Sequence, residues 1–82
     1  MNPYTDKDNI REFSKDVNEM DLVWHQDKED RKIEILEGKG WKFQKDNELP
    51  LELKKGDRIF IAEGEIHRVI KGITDLKIKI NG

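Results

Sequence analysis

An all-β fold, a small barrel or sandwich, is what this sequence predicts, and three observations predict it. Apolar stretches are short and are separated by turn residues at intervals of about 8–12 residues, the rhythm of successive strands in such folds. Where apolar alternation is legible it has period two, most clearly in Leu76, Ile78 and Ile80 set between Lys77 and Lys79. No sustained helical period exists. Only Val17 and Met20, spaced i, i+3 within SKDVNEM, suit a single turn, and a long loop fits them equally well.

The elements follow in order. Residues Met1 to Asn9 are polar and offer nothing to anchor the backbone, so they are expected to be flexible or loosely docked. Strands are expected at Ile10–Phe13, Asp21–His25, Lys32–Glu37, Trp41–Gln44, Leu51–Leu53, Arg58–Ile61, Glu65–Ile70 and Leu76–Ile80. Between them lie Gly38 and Gly40, Asp46-Asn47, Lys55-Gly56-Asp57, Glu63-Gly64 and Lys71-Gly72, which supply the residue types that tight turns need. No internal repeat, linker or low-complexity segment divides the 82 residues, so one domain is expected.

Composition narrows the function. Charged residues make up 41% and apolar ones 34%, a profile that would suit disorder if the strand periodicity did not argue for a fold. The net charge is -2 with basic and acidic residues interleaved, so no field exists to hold a phosphate backbone and nucleic acid is not an expected partner. The absence of cysteine excludes a disulfide framework, a thiolate zinc site and a cysteine nucleophile together. The first residues lack an apolar signal core, and no later apolar run is long enough to span a bilayer. A soluble, cytoplasmic protein without a membrane partner is expected. Ser14, Thr5 and Thr74 have no histidine or acid spaced to activate them, and Gly38-Lys39-Gly40 lacks the strand-to-helix setting of a phosphate loop.

One group of residues invites chemistry. His25 and Asp27 in WHQD stand at i and i+2, which on a strand puts both side chains on one face about 6–7 Å apart. His67, the only other histidine, comes from a distant strand. Two histidines and a carboxylate are the donor set of the facial triad that holds non-haem Fe(II) with coordination positions left open. The competing reading makes Asp27 a solvated turn residue.

The surroundings of His67 carry a resemblance. The run GDRIFIAEGEIHRV, Gly56 to Val69, resembles the second motif of the cupin superfamily, G(X)5PXG(X)2H(X)3N: Gly56, Gly64 and His67 fall at its spacings, with Ala62 at the proline and Lys71 at the asparagine. The first motif, G(X)5HXH(X)3,4E(X)6G, is matched by His25 and by the closing Gly38, with Asp27 at the second histidine and Lys32 at the glutamate. Over about Asp21 to Ile80 the chain is similar to a small single-domain cupin. The resemblance implies a double-stranded β-helix barrel of about seven to eight short strands. It also implies a divalent metal (Fe, Mn, Ni or Zn) in the barrel cavity, held here by His25, Asp27 and His67. Lys32 would then repel the ion if it pointed inward, or pair with Asp27, or extend outward.

Gln44, in the strand that would line the same cavity, is a candidate for bonding a ligand or a metal-bound water. Trp41, Phe43 and Phe60 are candidates for apolar cavity walls, although aromatics in a chain this small more often build the core. By alternation Trp24 faces away from His25, and Arg68 away from His67. Two functions from different classes result. One is a metal-dependent enzyme, a dioxygenase, isomerase or lyase of a small molecule; the other is a non-catalytic module holding a small ligand without a metal. A homodimer is expected in either case, since so small a barrel leaves strand edges open, with Ile10–Phe13 and Leu76–Ile80 the candidates for pairing.

Overall fold

The structure, a computed structural model, describes residues 2–81. It is all-β apart from one 3-10 turn. The strands are β1 (Tyr4–Lys7), β2 (Ile10–Phe13), β3 (Arg31–Glu37), β4 (Lys42–Lys45), β5 (Leu51–Glu52), β6 (Arg58–Ile61), β7 (His67–Ile70) and β8 (Leu76–Asn81), and the 3-10 turn spans Glu19–Asp21. They form two antiparallel sheets, a five-stranded one in the order β1-β2-β8-β3-β6 and a three-stranded one in the order β5-β4-β7.

Period-two alternation decides which residues meet between the sheets. Phe13, Ile35, Ile61, Leu76 and Ile78 of the larger sheet are buried against Trp41, Phe43 and Leu53 of the smaller sheet and its flanks. Trp41 is the centre of this cluster, fully buried, with its ring 5.7 Å from that of Phe13 and its indole N–H donating to the Thr74 carbonyl at 2.6 Å. Gly72 is required beside it. A methyl group at that position would collide with the Lys39 carbonyl and with Trp41.

Three expectations need correction. Residues Tyr4–Lys7, expected to be flexible, form strand β1. Asp8 and Asn9 both adopt positive φ, 52° and 66°, as a two-residue hairpin loop of type I′ requires. The hairpin is then fastened by side chains: the Asp6 carboxylate accepts two hydrogen bonds from Arg11, the Arg11 guanidinium lies 3.7 Å over the Tyr4 ring, and Tyr4 packs on Phe13. The strand expected at Asp21–His25 is absent. Asn18 caps the 3-10 turn by accepting from the Met20 N–H, and the chain beyond it contributes only one paired residue, His25 opposite His67. Phe60 and the edge strands form the third correction. Phe60 lies on the outer face of β6, half exposed, because Ile59 and Ile61 take the inward positions. β2 and β8 are both interior strands, flanked on either side, so neither offers a free edge. In the five-stranded sheet the edges are β1 and β6.

Candidate metal centre

The site lies where the loop before β3 runs alongside the turn before β7. Four interactions hold them in register. The backbones of His25 and His67 exchange two hydrogen bonds of 3.0 and 2.9 Å, the Gly64 N–H donates to the Asp27 carbonyl at 2.9 Å, and the Glu63 N–H donates to the Asp30 carboxylate at 2.8 Å. Gly64 has φ of 78°, a left-handed conformation that side chains disfavour, and it is the residue that reaches the Asp27 carbonyl. The turn is braced from the other side by Glu65. Its carboxylate accepts from the Ala62 N–H and pairs with Lys45, and both contacts hold its carboxyl below the usual range.

This register brings His25, Asp27 and His67 together. Each presents one donor atom, and the three atoms lie within 4.8 Å of one another. His67 is buried, Asp27 half-buried and His25 exposed, so the group opens outward at His25. The i, i+2 relation expected of His25 and Asp27 holds although the segment is not a continuous strand.

The tautomers are fixed by the backbone. His25 Nδ1 lies 3.0 Å from the Val23 carbonyl and His67 Nδ1 lies 2.7 Å from the Glu65 carbonyl. A carbonyl oxygen only accepts, so in both rings Nδ1 bears the proton and, in the neutral ring, Nε2 is left as a lone-pair donor to a cation. Metal-ligating histidines are oriented in this way. Burial pushes the His67 imidazole below its ordinary range; the Glu65 carbonyl and the Asp27 charge oppose that shift, and nearby His25 reinforces it. His67 Nε2 then faces an Asp27 carboxylate oxygen at 3.5 Å. Two acceptors face each other without a proton between them, which a shared cation satisfies. Metal bonds of about 2.0–2.2 Å place neighbouring donor atoms about 3–3.5 Å apart, so this pair is already at the spacing an ion needs. The rest of the 4.8 Å spread closes with a side-chain adjustment of about 1 Å.

The cation already present is Arg31, not Lys32. Arg31, Ile33 and Ile35 face inward along β3, whereas Lys32 is exposed on the outer face with Glu34, Arg58 and Phe60. Lys32 therefore neither approaches Asp27 nor lines the cavity. Arg31 Nε lies 3.5 Å from the Asp27 carboxylate, near enough for charge attraction but too long for a hydrogen bond, and that buried atom has no hydrogen-bond partner. The sequence held a signal for this. The closing glycine of the first motif stands seven residues after its glutamate position, and counting back from Gly38 gives Arg31; the choice of Lys32 used the alternative spacing.

Beside the triad a cavity of about 320 Å³ opens between the sheets. Its walls are mostly apolar, with Phe13, Ile33, Ile61, Val69, Ile78 and Ile80 among them, and its polar groups are the triad with Arg31, Arg11, Asp21, Asn2 and Tyr4. A mostly apolar cleft with a few convergent polar groups is the usual form of a small-molecule site. The other expected ligand-binding residues lie elsewhere. Gln44 points outward, where its amide oxygen accepts from Arg68 Nε and Nη2 at 3.0 and 2.8 Å and its amide nitrogen donates to the Glu48 carbonyl. It does so because Trp41 and Phe43 take the inward positions of that segment. Trp41 belongs to the core. Phe43 is also core, and it supports the site from behind with its ring 5.6 Å from that of His67. On the outer face Arg68 stacks over the half-exposed Trp24, 4.5 Å from its ring centre.

No family model, curated protein or solved structure matches this chain. Among the described residues no helix is long and apolar enough to cross a membrane.

Proposed function

We propose that this chain is a small cupin-like protein of the cytoplasm that holds a divalent metal (Fe, Mn, Ni or Zn) through His25 Nε2, His67 Nε2 and the Asp27 carboxylate, and that it acts on a small molecule in the adjoining cavity. One observation carries the reading: two imidazoles whose Nδ1 atoms lie against backbone carbonyls each present a donor atom within 4.8 Å of one carboxylate oxygen, His67 Nε2 at 3.5 Å from it. Three protein donors leave coordination positions for a substrate oxygen or for dioxygen, which is the chemistry such a metal supplies. The two facing sheets and the motif-like spacing of Gly56, Gly64 and His67 support the cupin-like description.

Calorimetric titration with Mn(II), Fe(II), Ni(II) and Zn(II) tests the metal. The wild type is expected to bind one ion per chain and His67→Ala none; equal weak heats from both proteins would remove the proposal. Arg31 beside Asp27 favours a second reading, in which the guanidinium replaces the metal and the cavity binds a ligand without catalysis. That reading expects no ion in either protein. A homodimer remains part of the proposal, now through the β6 edge, where Phe60 is half exposed. A monomeric mass by light scattering at tens of micromolar would count against it.

A further inference from the structure

Arg31 is a cavity group whose chemistry the metal does not use. The other guanidinium on the wall, Arg11, is already committed: it gives two hydrogen bonds to Asp6 and covers the Tyr4 ring. Arg31 has charge contacts alone, at 3.5 Å to Asp27 and at longer range to Asp6, and its Nε is buried without a hydrogen-bond partner. A buried guanidinium N–H left without an acceptor is an unfavourable arrangement that an acceptor-bearing ligand relieves. Around it the walls are aliphatic, from Ile33, Ile61, Val69 and Ile78.

Charge points the same way. Of the charged groups on the cavity wall, Arg11 is balanced by Asp6 and Arg31 by Asp27, and Asp21 contributes one further negative charge at the 3-10 turn. A dication at the triad converts that excess to one positive charge. It also draws on the Asp27 carboxylate, the group that otherwise occupies Arg31. Metal binding therefore releases the guanidinium at the moment when the cavity gains a need for an anion. The fork of an arginine matches a carboxylate bidentately, and the cavity volume of about 320 Å³ is at the lower end of small-molecule sites.

We infer that the ligand of this cavity is a small monocarboxylate with an apolar body, its carboxylate docked on Arg31 and its chain lying among Ile33, Ile61, Val69 and Ile78. This rests on the metal reading above, which supplies the balancing charge, but Asp27→Asn separates the two. The variant frees Arg31 without any metal and removes a metal ligand. Arg31 is assigned here as a binding residue that selects for the carboxylate.

The test uses hexanoate and hexanamide as probes, followed by NMR of the isoleucine and valine methyl groups. Zinc-loaded wild type is expected to bind hexanoate at least about tenfold more tightly than hexanamide, and at least about fivefold more tightly than the metal-free protein does. Metal-free Asp27→Asn should likewise gain about fivefold for hexanoate over the metal-free wild type. Zinc-loaded Arg31→Gln should lose the preference for acid over amide, and Arg31→Lys should keep part of it, since the charge remains while the fork is lost. If zinc fails to bind the wild type while Asp27→Asn still gains hexanoate affinity, the metal reading falls and the Arg31 assignment stands. Equal binding of acid and amide in both zinc-loaded wild type and Asp27→Asn would overturn the inference. So would an acid preference that survives in a folded Arg31→Gln, because the carboxylate would then be bound by the metal itself.

Discussion

Replacing Trp41 with Phe separates the core from the site. Trp41 is fully buried and its N–H donates to the Thr74 carbonyl at 2.6 Å, yet it is not among the residues that line the cavity beside the triad. The phenyl ring has three fewer heavy atoms, two of them carbon, which at about 0.8 kcal/mol per buried carbon removes about 1.6 kcal/mol of apolar burial. The lost hydrogen bond, which is part-buried, costs about 1–2 kcal/mol more. The sum is about 3 kcal/mol, set against a total stability of about 4–12 kcal/mol for a domain of this length. In a domain of 82 residues that lowers Tm by about 12–24 °C. Urea denaturation followed by circular dichroism measures the cost, and zinc titration of the folded variant measures the site. The expected result is a lower midpoint with an unchanged m-value, and metal affinity within about threefold of wild type. A cost below about 1 kcal/mol, or loss of metal binding in a folded variant, would refute this placement of Trp41.

Three further outcomes are expected. Because burial holds the His67 imidazole below its ordinary range, the unfolded chain takes up that proton first. Stability of the metal-free protein should therefore be full above about pH 6.5 and fall as pH drops below it, by no more than about 1.4 kcal/mol per pH unit from this one group. Thermal melts in chelator across pH 5–8 should show this slope, and His67→Asn should flatten it. Arg31→Glu adds an inward oxygen donor and removes a cation beside Asp27, so metal affinity by calorimetry should rise at least about tenfold, while Lys32→Glu on the outer face should change it by less than about threefold. Gly72→Ala should destabilise the fold by about 1–3 kcal/mol or more in urea titrations, since the added methyl meets the Lys39 backbone as well as Trp41.

The parts of the fold that were legible in the sequence are those in which one face is buried. β8 announces itself because Leu76, Ile78 and Ile80 pack inward while its lysines stay wet, and β3, β4, β6 and β7 fall within a few residues of their expected bounds for the same reason. β1 was hidden because its stability comes from a turn and from cross-strand side chains. Asp8-Asn9 carries the hairpin signal, but the Asp6–Arg11 pair and the Arg11–Tyr4 stack appear only once the hairpin has formed. The segment before His25 misled for the opposite reason. Leu22 and Trp24 alternate like strand residues, yet the turn capped by Asn18 and the contacts to Gly64 and Glu63 determine its path.

The site divides in the same way. The His25, Asp27 and His67 convergence could be read from an i, i+2 pair and a motif-spaced histidine, although it is the single His25–His67 bridge and the Gly64–Asp27 hydrogen bond, not a continuous strand, that bring them together. The motif's glutamate position was placed one residue late, and in a strand one residue changes the face, so Lys32 extends outward, one of its three expected positions, while the inward cation is Arg31. Gln44 was misplaced because nothing in WKFQ states which alternate set faces inward until Trp41 and Phe43 claim the core. The backbone carbonyls of Val23 and Glu65 that orient the imidazoles carry no sequence signal at all.

The most direct test of the metal centre is anomalous diffraction from crystals soaked in zinc, recorded on both sides of the zinc absorption edge. A single peak is expected at about 2.0–2.2 Å from His25 Nε2, His67 Nε2 and an Asp27 carboxylate oxygen, with both Nδ1 atoms still donating to the Val23 and Glu65 carbonyls. A map with no peak at the triad, and with His67 Nε2 drawn into a direct hydrogen bond to Asp27, would contradict it.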